Sequence, residues 1–292
     1  MRVTEGMIYN STNQALASTL SKMSSMTEKV SSTKELNRPS DNPADVRSAV
    51  QLRDVLAELD QFGRNIDAAS GRVDAMDNAM ASVGDLIQRA NELAISGANS
   101  SLSASDRQAM AQEVSQLIES VAQDAGAKFE GDYIFSGFKV GTPPYTVTGP
   151  GAVSAYQGDH GVVIARIGQA SSMQVSVAGD TVFQPALDAL SQLQSDLQSG
   201  NLVQPGTITA LQGALDNLLA SRSQVGARAN RLDQSKTSLA SLTTSNQALL
   251  SQLEDADMPS VITELSKRQT TYQATLAVTA KVMQTSLIDY LR

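Results

Sequence analysis

LRDVLAELDQFGRNIDAASGRVDAMDNAMASVGDLIQRANELA, residues 52–94, decides the fold. Steps of three and four from Leu52 meet Val55, Leu59, Phe62, Ile66, Ala69, Val73, Met76, Met80, Val83, Ile87, Ala90 and Ala94. All 13 positions are apolar, while Arg53, Asp54, Glu58, Asp60, Gln61, Arg64, Asp67, Asp74, Asp85, Gln88 and Arg89 fall between them. An apolar residue every 3.5 positions marks a coiled-coil seam. Upstream, Asn42 suits a helix cap, Pro43 suits a first turn, and Asp45 places negative charge where the helix dipole favours it. Gly97-Ala98-Asn99 supplies the stop. A helix over 44–98 spans roughly 80 Å at about 1.5 Å per residue.

Moving toward the C-terminus, Ser103-Ala104-Ser105-Asp106 has the form of a capping box. Met110, Val114, Leu117, Ile118 and Val121 follow at helical spacing and stop near Gly126. Residues 131–183 then change character. They are rich in glycine, hold Pro143, Pro144 and Pro150, and carry short alternating runs such as 133–135, 145–147, 161–167 and 173–177. This predicts a small antiparallel β insertion, standing out from the helices and dispensable to them. Helix is predicted to resume at Pro185 with Leu187, Leu190, Leu193 and Leu197. From Ile208 the heptad returns through Leu211, Leu215, Leu218, Val225, Ala229, Leu232, Leu239, Leu250 and Leu253, interrupted by Arg222, Lys236, Thr243 and Asn246. After a break at 255–259, Ile262, Leu265, Tyr272, Leu276, Ala280, Met283, Leu287 and Leu291 make a last helical stripe.

The N-terminal stripe of Leu16, Leu20, Met23 and Val30 is thinner, within a Ser- and Thr-rich stretch. A helix that polar is marginal alone and needs a partner. The pattern is therefore nested. It predicts a mainly α fold with a small β insertion, an elongated antiparallel helical bundle with a coiled-coil core and a β head. Terminal helices occupy 1–40 and 256–292, the bundle core 41–130 and 184–255, and the β-rich insertion 131–183. Chain reversal at the insertion makes the long seam internal to the bundle. The terminal stripes have no such internal explanation. Leu16, Leu20 and Met23, with Leu276, Met283 and Leu287, are the expected intersubunit packing residues.

Composition removes most chemistry. The formal net charge is −8 and the sequence pI about 4.7, which disfavours phosphate-binding surfaces and docking on anionic membranes. Cysteine is absent and there is a single histidine, so thiol catalysis, disulfides, Cys₂His₂ zinc and a catalytic triad are excluded. His160 beside Asp159 is too small a ligand set for a metal and reads as a solvated loop residue. Asp255 and Asp257 could pair as carboxylates, but helix capping accounts for them. No catalytic residue, metal or cofactor is assigned. Residues 1–30 hold no apolar stretch of signal-peptide length, which predicts a cytoplasmic protein or export without a cleaved signal.

Several stretches resemble the flagellin family. Residues 30–44, Val-Ser-Ser-Thr-Lys-Glu-Leu-Asn-Arg-Pro-Ser-Asp-Asn-Pro-Ala, resemble the turn between its first two helices, with Thr33 where the family usually has glycine. Further similar stretches are 65–69 (NIDAA), 89–94 (RANELA), 129–137 (FEGDYIFSG), 225–232 (VGARANRL) and 253–257 (LEDAD). The opening Met1-Arg2-Val3-Thr4 and the Phe-x-Gly-x-Tyr-x-Phe-x-Gly run resemble the junction type of subunit more than the filament type. The resemblance implies a structural, non-catalytic subunit at the hook-filament junction of the bacterial flagellum. It implies export through the flagellar type III apparatus, helped by a small cytosolic chaperone. The implied partners are hook-associated protein 1, flagellin and further copies of itself in a ring-like or helical assembly. Arg89, Glu92 and Leu93 resemble a flagellin stretch read by an innate immune receptor, although charged heptad flanks are ordinarily solvated faces. The alternatives are a short filament flagellin or a type III needle-tip or effector-like interaction protein.

Overall fold

The computed structural model describes the backbone of residues 5–290 and the side chains of Met7 and of residues 10–281. The fold is mainly α with a small β insertion. Among the described residues, six helices and six short strands follow in the order α1 (Glu5–Ser32), α2 (Pro43–Gly97), α3 (Ala104–Ala125), β1 (Lys128–Phe129), β2 (Asp132–Tyr133), β3 (Val147–Gly149), β4 (Ala152–Val153), β5 (Ile164–Arg166), β6 (Ser172–Gln174), α4 (Gly179–Gln198), α5 (Pro205–Glu254) and α6 (Met258–Tyr290). They form two compact units, one of residues 1–58 with 242–292 and one of residues 59–241. These boundaries lie inside α2 and α5, not at the ends of the long helices where the sequence pattern divides.

In the unit of residues 59–241 the heptad seam is internal. Phe62, Ile66, Ala69, Val73, Met76, Met80, Val83, Ile87, Ala90 and Ala94 are all buried. From Ile66 onward they join Leu211, Leu218, Val225 and Leu232 of α5, together with the apolar faces of α3 and α4, in one cluster. The polar residues that interrupt the α5 seam meet acids on α2. Arg222 Nε and Nη2 donate to Asp77 Oδ1 and Oδ2 at 2.7 and 3.0 Å, and Lys236 Nζ to Asp67 Oδ1 at 2.7 Å. All four side chains are well exposed, so solvent screens each pair and neither adds much stability. Their value is register, because a shifted α5 would strand both cations. Gly71 is the close-approach point on α2. A Cβ there would lie 2.7 Å from the Phe129 ring, so only glycine lets that ring sit on the helix.

Helix ends follow the local chemistry. Asn42 Oδ1 accepts from Ala44 N at 3.2 Å and starts α2. Ser103 and Asp106 form a reciprocal capping box on α3, and the two hydrogen bonds from Ser103 hold the Asp106 carboxyl below its usual range. Ser103→Ala should therefore cost about 1 kcal/mol of stability, read as a lowered urea midpoint at unchanged slope. No loss would mean that Asp106 alone suffices. Helix α4 starts six residues before Pro185, which lies inside it. Its first amide is satisfied from outside, since Gly179 N donates to Phe135 O at 2.9 Å. The proline rule therefore misplaces this start.

The insertion differs more from expectation. It is three separate two-stranded antiparallel hairpins, β1–β2, β3–β4 and β5–β6. Nor does it stand apart from the helices. Ile134, Phe135, Tyr145, Ile167, Met173 and Val175 are buried in the same cluster as α2, α3, α4 and α5. Phe135 meets Phe183 of α4 edge-on at 4.7 Å between ring centres. The expectation of a head standing out from the helices is corrected, because strands two or three residues long cannot support each other and use the helices as their core.

Candidate assembly surface

No chemistry converges among the described residues. No group of three or more metal-capable side chains occurs there, and no helix is long and apolar enough to cross a membrane. His160 is 70% exposed at its side chain, with Nε2 2.6 Å from Asp180 Oδ2. The neighbouring Asp159 carboxylate accepts from the backbone amides of Phe138 and Gly161 at 2.7 and 2.8 Å, so it serves the loop. Asp255 accepts from Ser251 Oγ, and Asp257 directly precedes α6. Arg89 links Glu92 on its own helix to Glu113 on α3 at 2.9 and 2.8 Å, and Leu93 is buried.

The unit of residues 1–58 and 242–292 is organised differently. Here α1 packs along α6. The end of α1 and the start of α6 are joined by an antiparallel bridge between Lys34 and Asp255, so the two helices run antiparallel. Glu35 N donates to Glu254 O at 2.6 Å and Ala256 N to Thr33 O at 3.0 Å. Below this bridge the Glu254 side chain is only 3% exposed. Lys34 Nζ lies 2.6 Å from its Oε2 and Arg53 Nη2 2.6 Å from its Oε1. Burial works against the charged carboxylate, but the two cations outweigh it and hold the carboxyl below its usual range. The Asp41 carboxylate closes the next turn, accepting from Asn37 N and Arg38 N at 3.1 and 2.8 Å. Arg38 reaches back to Glu28 on α1 at 2.7 Å, and Lys29 pairs with Glu35.

The expected packing residues fall on both helices of this pair. Leu16 and Met23 are half-buried, while Leu20 and Leu276 are each 41% exposed. The side chains of Met283 and Leu287 lie outside the described residues. Also exposed are Met7 on α1 and Ile262 and Val278 on α6. Even when paired, α1 and α6 thus leave a discontinuous apolar surface in water. The Lys34–Glu254–Arg53 cluster is what the sequence pattern missed. Its members lie far apart in the chain, and no local periodicity marks them.

Two family models cover most of the chain. Residues 3–140 match the bacterial flagellin N-terminal helical region, and residues 208–291 match the bacterial flagellin C-terminal helical region. The chain belongs to the bacterial flagellin family. Flagellar hook-associated protein 3 of Salmonella typhimurium is 24% identical over 304 residues, covering 94% of each chain. A flagellar filament 30.7 kDa core protein of Treponema maltophilum is 26% identical over 262 residues, covering 87% of this chain and 86% of that one. Among solved structures, a hook-associated protein from Vibrio parahaemolyticus superposes with a TM-score of 0.66 at 19% identity, over 74% of this chain and all of that one. The last match speaks for the fold. As a flagellin-family protein, the chain is a structural component of the bacterial flagellum, outside the cell, and not an enzyme.

Proposed function

We propose that this flagellin-family subunit forms the junction between hook and filament, bound on one side by hook-associated protein 1 and on the other by flagellin. One observation carries the choice. Similarity to a hook-associated protein 3 runs through 94% of both chains, including the insertion between the two family-matched regions. The opening residues 1–4 and the run at 129–137 also resemble the junction type of subunit more than the filament type. That similarity also supports export through the flagellar type III apparatus with a small cytosolic chaperone.

Assembly falls to α1 and α6. A tube of subunits needs a heterologous interface, in which one surface meets a different surface of the next copy. The half-buried Leu16 and Met23 and the exposed Leu20 and Leu276 supply apolar area that a neighbour can cover, and Met283 and Leu287 extend the α6 stripe in sequence. Immunogold labelling of intact flagella tests the assignment. A single narrow band where hook meets filament is the expected result. Label along the whole filament would make the chain a short flagellin, and label nowhere on the flagellum would remove the junction role.

A further inference from the structure

We propose that Glu254 is a positioning residue for the assembly helices. Its carboxylate, clamped by Lys34 and Arg53, locks the point where α1 and α6 depart from α2 and α5. The proposal rests on the reading of α1 and α6 as the assembly helices.

The cluster is asymmetric in a telling way. The Glu254 side chain is 3% exposed, whereas those of Lys34 and Arg53 are 41% and 54% exposed. The cost of leaving water falls on the carboxylate alone. An exposed cation that loses its partner is rehydrated cheaply, but a buried carboxylate that loses both is not. Each of its oxygens takes a cation from a different element, Lys34 from the α1–α2 turn and Arg53 from α2. One side chain at the end of α5 therefore holds the other two elements. The main chain around it grips the same turn, through Glu35 N on the Glu254 carbonyl and, two residues on, Ala256 N on Thr33 O.

The gripped turn is not relaxed. Thr33 has φ +60°, the left-handed region that a β-branched residue avoids. Such a conformation persists only where its surroundings over-determine it. The surroundings here are the bridge from Lys34 to Asp255 and the carboxylate beneath it. A strained turn held by one buried charge is a latch. When the charge is removed, the turn loses its clamp and keeps its strain.

The charged groups around the latch are few. The end of α1 offers Glu28, paired with Arg38, and Lys29, paired with Glu35. The turn offers Lys34 and Asp41, whose carboxylate accepts from the amides of Asn37 and Arg38, and α2 offers Arg53. Beside Glu254, Asp255 accepts from Ser251. Only Glu254 among these acids is buried and doubly paired. Its carboxyl is held below the usual range, so its contribution is complete above the ordinary glutamate value of about 4.3 and fades as pH falls through the lower folded value.

Hydrogen exchange on the full-length monomer tests the latch. In Glu254→Gln, the amides of Glu35 and Ala256 should lose protection on the order of tenfold or more, with the amides of residues 59–241 unchanged. Adding Thr33→Gly should restore much of that protection, because glycine adopts positive φ without penalty. In the wild type, protection at those two amides, corrected for intrinsic exchange, should fall on acidification below about pH 4.3, and more steeply than in the Gln variant, which keeps only the Asp41, Glu35 and Glu28 carboxylates of the turn. In cells, Glu254→Gln subunits should be secreted but incorporated poorly. Unchanged protection in the Gln variant overturns the latch wherever the wild-type protein lies in the flagellum. Lost protection with normal incorporation overturns the positioning role. The junction assignment fails separately, by the labelling pattern of the wild type.

Discussion

Replacing Phe135 with Ala should lower the stability of the unit of residues 59–241 by about 3–5 kcal/mol, the usual cost of emptying a fully buried aromatic site. Phe135 is 0% exposed and edge-on to Phe183, which is also 0% exposed. The site cannot collapse easily, because its backbone carbonyl is fixed by Gly179 N at 2.9 Å and by the Tyr156 hydroxyl at 2.8 Å. Urea unfolding followed by circular dichroism would show the midpoint fall. Replacing residues 141–181 with a short linker should do more. It removes Tyr145, Ile167, Met173 and Val175, each buried against the helices, and takes from the Phe135 carbonyl both its donors, Tyr156 Oη and Gly179 N. Each lost side chain is worth about 1.5–3 kcal/mol of burial, and domains rarely hold more than about 5–15 kcal/mol in total. The cooperative transition should disappear. A deletion variant that melts like the wild type would show that the insertion stands on its own after all.

Leu276→Asp should leave the monomer intact and abolish its incorporation into the flagellum. At 41% exposure in the monomer, position 276 tolerates a charge in water. Buried by a neighbour, an unpaired carboxylate costs several kcal/mol, more than a single apolar contact returns. Leu20→Asp on α1 should act likewise, being exposed to the same extent. Cells carrying either variant should secrete the protein and shed unpolymerised flagellin into the medium. The urea transition of residues 59–241 should not move. Normal motility with an intact hook-filament junction would refute the assignment of α1 and α6 to intersubunit packing. A monomer that no longer folds would show that these leucines serve the chain internally instead.

Much of the architecture is periodic, and periodicity is legible. The seam from Phe62 to Ala94 is buried at every quoted step, and it is a local property of one helix meeting one apolar partner surface. The capping box at Ser103 and the cap at Asn42 are equally local, since donor and acceptor lie within three residues. Thr33 shows the limit of such reading. Its place where the resembling family usually has glycine marks an unusual turn, but the positive φ and what holds it depend on residues over 200 positions away. The start of α4 behaves the same way. Pro185 argues for a boundary, yet a carbonyl from Phe135 satisfies the first amide and lets the helix begin at Gly179.

The sequence by itself determined a mainly α chain with a broken second seam, no catalytic set, and two terminal stripes in need of partners, because these follow from residue type and spacing along single helices. Only the tertiary structure decided three other things. It made the glycine-rich insertion part of the helical core, turned the interruptions Arg222 and Lys236 into register-setting pairs with Asp77 and Asp67, and buried Glu254 between Lys34 and Arg53. Each of these depends on which distant segments meet. Burial and charge pairing are properties of that meeting, and no short window of sequence contains both partners.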